Sequence, residues 1–198
     1  MRLLAIPVFI SSLFLSCSSA TQEASPHDQA FRAFIKKFPV RQLPFQSCIT
    51  CNEFRDADLA SVEDDTSHVF VPDGFGEVHC WGLLPDTSEF YYTIWTVAGD
   101  NAFIPFFAIY DKKGNLLSYD PMTAGKAGWS PCFRFNMYTR VNPDYSFTVF
   151  DTTWTWDCDS SENVCDSNKV TIEATLLKGK IAGGKFIKQE EKTNPLKP

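Results

Sequence analysis

FYYTIWTVAGDNAFIPFFAIYDKKGNLLSY, residues 90–119, decides the fold. Two long apolar runs, Phe90–Ala98 and Ala102–Tyr110, precede a shorter one at Leu116–Tyr119. They are joined by the turn formers Gly99-Asp100-Asn101 and Asp111-Lys112-Lys113-Gly114. Aromatic and β-branched runs separated by short polar loops predict a meander of antiparallel strands. In Ala102–Tyr110 both alternating sets are apolar: Phe103, Pro105, Phe107 and Ile109 against Ala102, Ile104, Phe106, Ala108 and Tyr110. Such a strand belongs mid-sheet with a layer on each face. Pro105 has no N–H to donate, which predicts a bulge there.

Working outward, strands are expected at His68–Val71, Glu77–Leu84, Cys132–Val141, Tyr145–Trp156 and Lys169–Leu177. The strand from Cys132 alternates Phe133, Phe135 and Met137 against Arg134, Asn136 and Thr139, with a register slip near Tyr138. Asp120–Pro131 reads as a loop, and Asn52–Ser67 as a loop or a short helix around Asp58–Val62. Gly183-Gly184 would turn a final short hairpin, and the charged tail 189–198 is expected to be disordered. Before the strands, Ser25 as N-cap, Pro26 at the first helical position and Asp28 closing a capping box predict a helix. Phe31, Phe34, Ile35 and Phe38 give it one apolar face, and Pro39 ends it. That helix is expected on the sheet, with the membrane surface as the alternative. The expected fold is mostly β, an antiparallel sandwich or open barrel with one short N-terminal amphipathic helix.

With 198 residues, 44% hydrophobic and 18 phenylalanines, the chain suffices for one well-filled domain. Its net charge of −6 and the lack of a basic run in sequence argue against nucleic acid as a partner. Residues 1–16 read as a signal peptide: one positive charge, then the apolar run Leu3–Leu15, too short to span a bilayer comfortably. Leu13-Phe14-Leu15-Ser16-Cys17 resembles a bacterial lipobox, which implies lipid attachment at Cys17 and a tether over 17–26. Phe14 departs from the leucine usual there, and cleavage after Ala20 is the alternative. Either way six of the seven cysteines remain, an even set suited to an oxidising compartment. The domain then spans 27–188.

Phe31-Arg-Ala-Phe-Ile-Lys-Lys-Phe-Pro39 followed by Leu43-Pro44-Phe45, behind that leader, resembles uncharacterised lipoproteins of the Bacteroidetes type. The resemblance covers about 15 residues plus the leader, and it implies a cell-envelope location and a β-rich body without implying an activity.

Cys158 and Cys165 bracket a polar loop, so a bridge between them is the first expected; Cys80 with Cys132, and Cys48 with Cys51, would complete the set. Cys48-Ile-Thr-Cys51 lacks the strand–motif–helix setting of a redox centre, and with His68 and His79 it makes only an incomplete zinc set. Asp157, Asp159, Ser161 and Asn163 alternate like the start of a calcium loop. Glu162 and Asn168 stand where that loop needs glycine and a bidentate glutamate, so no metal is expected. Serine-nucleophile, H-E-x-x-H and phosphate-loop signatures are absent from the sequence, and three histidines (His27, His68, His79) are few for acid–base work. Aromatics remain. Trp129 in its glycine-containing loop is the foremost candidate for an exposed contact. Trp154 and Trp156, i and i+2 on one strand face, could present a second platform, although burial of large aromatics favours the core for both. These readings point to a non-enzymatic, lipid-anchored envelope module binding a protein or glycan, with no cofactor. The alternative is a hydrolase or thiol-redox accessory protein. A soluble periplasmic or secreted location stays open beside the outer membrane.

Overall fold

The computed structural model describes residues 25–49, 60–62, 67–98, 103–124, 130–161, 163, 164, 166 and 169–196. One helix, α1 (Pro26–Lys36), is followed by nine strands: β1 (Phe45–Cys48), β2 (Val78–Leu83), β3 (Tyr91–Ala98), β4 (Phe103–Tyr110), β5 (Leu116–Pro121), β6 (Phe133–Val141), β7 (Ser146–Trp156), β8 (Val170–Ala182) and β9 (Lys185–Leu196). Two antiparallel sheets face each other, one ordered β2-β3-β4-β5 and the other β1-β6-β7-β8-β9. Each sheet is a meander of consecutive strands, with β1 added beside β6. This is the expected sandwich.

Both faces of β4 are covered, as its two apolar sets require. Phe107 and Ile109 enter the inter-sheet core with Ile94, Met137, Val149 and Leu177. Phe107 meets Phe147 at 5.6 Å and Phe186 at 5.2 Å across the sandwich. On the other face Ala108 and Tyr110 pack with Trp95 under α1. Ser25 caps that helix in a reciprocal capping box with Asp28. Its buried face, Phe31, Phe34 and Ile35, makes it the outer layer on the four-stranded sheet. The layers therefore run helix, four-stranded sheet, five-stranded sheet.

Several expectations change. His68–Phe70 is a 3-10 turn, not a strand. Phe70 turns inward to stack on Phe34 at 5.1 Å, and its carbonyl accepts the buried Tyr110 hydroxyl at 2.7 Å, so packing outweighs extended propensity. Residues 60–62 are extended along β2, with Ser61 bridging His79, rather than helical. Together with Val40 against Leu83 they cover the β2 edge, which would otherwise offer unpaired backbone groups.

Pro105 causes no bulge. Its ring nitrogen points toward β5, so the β3·β4 register runs unbroken through Thr96 and Pro105. The register shifts instead between Cys80 and Gly82 and between Ile109 and Tyr110. β6 and β7 also pair without a slip at Tyr138. β5 extends to Pro121, shortening the expected loop, and Met122 is buried. The largest change lies at the C-terminus. Residues 189–196, expected to be disordered, belong to β9, which pairs with β8 from Lys185 to Leu196. The charges of this segment lie along an edge strand, where lysine and glutamate are solvated while the backbone completes the ladder. Its inner side also carries the Lys188–Asp120 ion pair to β5, at 3.4 Å.

Candidate ligand-binding face

The five-stranded sheet has two unlike faces. Alternation along β6 to β8 sends Met137, Val141, Phe147, Val149, Leu177 and Ile181 into the core. It sends the intervening side chains outward, away from the other layers. Register places those outward residues in rows that cross the strands. One row is Tyr138, Phe150, Leu176 and Lys192; the next is Asn136, Thr152, Ala174 and Asn194; the third is Arg134, Trp154, Ile172 and Leu196. The outer rows carry large side chains, aromatic or aliphatic apart from Lys192 and Arg134, whereas the middle row holds only amides, a hydroxyl and a methyl. By side-chain size this register makes a shallow trough with a polar floor between two mostly apolar rows. Its walls stand roughly 14 Å apart along the strands, four residues at about 3.4 Å each.

Beside this trough lies a depression of about 340 Å³ lined by Gln46, Tyr138, Thr139, Arg140, Thr148 and Phe150. Phe150 is 44% exposed, a large share for a phenylalanine mid-strand. The Arg134 guanidinium lies 6.0 Å from the Trp154 ring centre, within reach of a cation–π contact. Arg140 donates from Nε to Asn142 Oδ1 at 3.1 Å. Among the described residues neither arginine has a carboxylate partner. Outward from the same sheet point Lys178, Lys180 and Lys192; Glu190 pairs with Lys178 at 3.3 Å and with Lys192, and Asp144 in the β6–β7 turn lies near Lys180. The chain carries a net charge of −6, yet among the described residues cations outnumber carboxylates on this face: Arg134, Arg140, Lys178, Lys180 and Lys192 against Glu190 and Asp144. The sequence shows no basic run because the cations come from β6, β8 and β9.

Trp154 and Trp156 therefore lie on the outer face, half-buried, and not in the core. The reason is register: Val149 and Asp151 take the inward positions of β7, which leaves every even-numbered residue outside. Trp129, Cys17, Cys51 and Cys165 fall outside the described residues. Tyr138, Phe150, Arg134 and Arg140 were not singled out from the sequence, although the alternation of β6 and β7 carries the signal.

Cys158 bonds to Cys132, with Cα atoms 5.9 Å apart, so neither the Cys158–Cys165 nor the Cys80–Cys132 pairing occurs. The β6·β7 ladder ends with Trp156 N donating to Cys132 O, which brings the neighbouring strand ends together. The loop after Cys158 closes instead through its backbone bridge to Val164. Cys80 keeps its thiol, buried under the helical layer. Cys48 is disulfide-bonded.

The calcium-like loop uses its oxygens internally. Asp159 Oδ1 accepts the Ser161 and Asn163 amides at 2.8 and 3.0 Å, and these bonds hold its carboxyl below the usual range. Among the described residues no cluster of metal-ligating side chains forms. The histidines are engaged separately: His79 with Glu77 at 3.0 Å, His27 edge-on to Phe70, and His68 in the 3-10 turn.

One carboxyl is out of place. Asp151 is fully buried on the inner face of β7, accepting the Thr153 hydroxyl at 2.8 Å on Oδ2, while Oδ1 has no partner among the described residues. Burial raises its pKa to about 6. Its cross-strand neighbours are Met137 and Thr175, so it is not paired with a second carboxylate across the ladder.

No family model matches the chain, and neither a curated protein nor a solved structure matches it.

Proposed function

We propose that this protein is a non-enzymatic binding module of the bacterial cell envelope, anchored through lipid at Cys17, whose partner docks on the outer face of the five-stranded sheet. The observation that carries this reading is the outward-facing set of Tyr138, Phe150, Trp154 and Trp156 with Arg134 and Arg140, over which none of the described strands or the helix packs. The four-stranded sheet has much of its outer face covered by α1 and Phe70, whereas the five-stranded sheet presents aromatic and arginine side chains, the types enriched where proteins hold partners. The leader supports export, and a disulfide between Cys132 and Cys158 suits an oxidising compartment, although the buried Cys80 thiol means the six remaining cysteines do not all pair. The lipid anchor would then keep the module at the membrane surface without a spanning segment.

A photo-crosslinking amino acid at Phe150, compared with one at Val69 on the helical side, tests the reading in the native envelope. Val69 is 62% exposed and serves as the control. A discrete adduct from position 150 and none from position 69 is the expected result. Equal adducts from both, or none from position 150, would overturn the proposed surface.

A further inference from the structure

The partner class can be narrowed, on the assumption that the face just described is the recognition surface. The trough floor, Asn136, Thr152 and Asn194, offers amides and a hydroxyl rather than apolar groups. A membrane would strip water from the Thr152 hydroxyl and the Asn194 amide, which is costly. Lys178 and Lys192 border the depression and the trough, which adds positive charge around the polar floor. A sugar chain answers every feature. Its hydroxyls match the amide floor, and its C–H faces carry the slight positive charge that the negative face of an aromatic ring attracts. Phe150 and Tyr138 are cross-strand partners forming one wall, with Trp154 on the other. Arg140, in the depression beside Tyr138 and Phe150, supplies a planar fork matched to a carboxylate.

We propose that this trough binds an acidic polysaccharide, a chain of uronate-type sugars, lying across β6 to β9 with its carboxylates on Arg140 and Arg134 and its ring faces on Phe150, Tyr138 and Trp154. The excess of cations on an otherwise acidic molecule is the charge complementarity such a chain requires, and it steers the encounter as well as holding the complex.

The test is titration of the full chain with polygalacturonate, with dextran as the neutral control, at low and high salt. Vesicles of phosphatidylcholine and phosphatidylserine and a single-stranded DNA oligomer are the competing anions. Polygalacturonate should bind, weaken with salt and outcompete both anions, whereas dextran should not bind. Arg134→Gln with Arg140→Gln should weaken binding by about tenfold or more, since each removes a charge-assisted hydrogen-bonding group. Trp154→Ala should weaken it without altering its salt dependence. A Lys36→Gln, Lys37→Gln variant on α1 is the charge control and should bind like the parent. No binding, equal loss in the control, or preference for vesicles or DNA would overturn the proposal. An adduct at position 150 together with failure to bind polygalacturonate would reject the ligand class and leave the surface standing. Loss of both would reject the surface as well.

Discussion

The Thr139 hydroxyl donates to the Met122 carbonyl at 3.2 Å, across the sandwich from β6 to the end of β5. That carbonyl faces Pro105. Met122 N donates to Pro105 O at 2.8 Å, but the return bond of an antiparallel pair cannot form because proline has no N–H. Thr139 therefore fills the vacancy that Pro105 creates, from the opposite sheet. Thr139→Val should cost about 1–3 kcal/mol, the penalty of leaving a buried carbonyl without a donor. In a Pro105→Ala background the loss should shrink, because the amide at position 105 can then donate. A double-mutant cycle by urea denaturation reads the coupling, and strictly additive losses would contradict the assignment.

Asp151 sets a pH dependence whose sign follows from its raised pKa. A carboxyl titrating at about 6 when folded and at 3.8 ordinarily holds its proton more tightly in the native state. Its contribution to stability is complete below 3.8 and is lost as pH rises through about 6. The loss is on the order of 3 kcal/mol. Asp151→Asn should remove this slope and raise the denaturation midpoint at neutral pH. If the variant shows the same fall between pH 4 and about 7 as the parent, another group is responsible.

Phe34 ties α1 to the sheet. It is fully buried, stacks on Phe70 at 5.1 Å, and meets Phe38 and Tyr110 edge-on. Phe34→Ala should destabilise the domain by about 3–5 kcal/mol. Because α1 lies on the far side from the candidate face, ligand binding by the folded fraction should be unchanged. A large drop in affinity with little change in stability would contradict that separation.

The Cys132–Cys158 bridge closes a loop of 26 residues in sequence separation. Chain entropy predicts that removing both sulfurs by Cys132→Ser with Cys158→Ser costs about 3 kcal/mol. Non-reducing peptide mapping should join the peptides holding these two cysteines. A fragment joining Cys158 to Cys165 would contradict the observed pairing.

Much of the fold was legible because its signals are local. The capping box at Ser25 and Asp28, the spacing of Phe31, Phe34, Ile35 and Phe38, and the doubly apolar β4 each specify an element without distant information. Three things were hidden because they depend on pairing. β9 is charged and reads as a tail, and only the edge of β8 makes it a strand. Cys158 has a nearby partner in sequence at Cys165, yet the β6·β7 ladder brings Cys132 to it. Trp154 and Trp156 could face either way until Asp151 and Thr153 were seen to take the inward positions. The basic character of the outer face likewise appears only when Arg134, Arg140, Lys178 and Lys192 are brought onto one surface.

The most direct test of the binding account is oxidative footprinting of Tyr138, Phe150, Trp154 and Trp156 in the intact envelope and in purified protein. Leu117 and Tyr119, 46% and 45% exposed on β5, are internal references. If the outer face holds a partner, the four aromatics will be protected in the envelope and labelled after purification, while Leu117 and Tyr119 label equally in both. Equal labelling of all six would mean that this face meets only solvent, and the account of it as a recognition surface would fail.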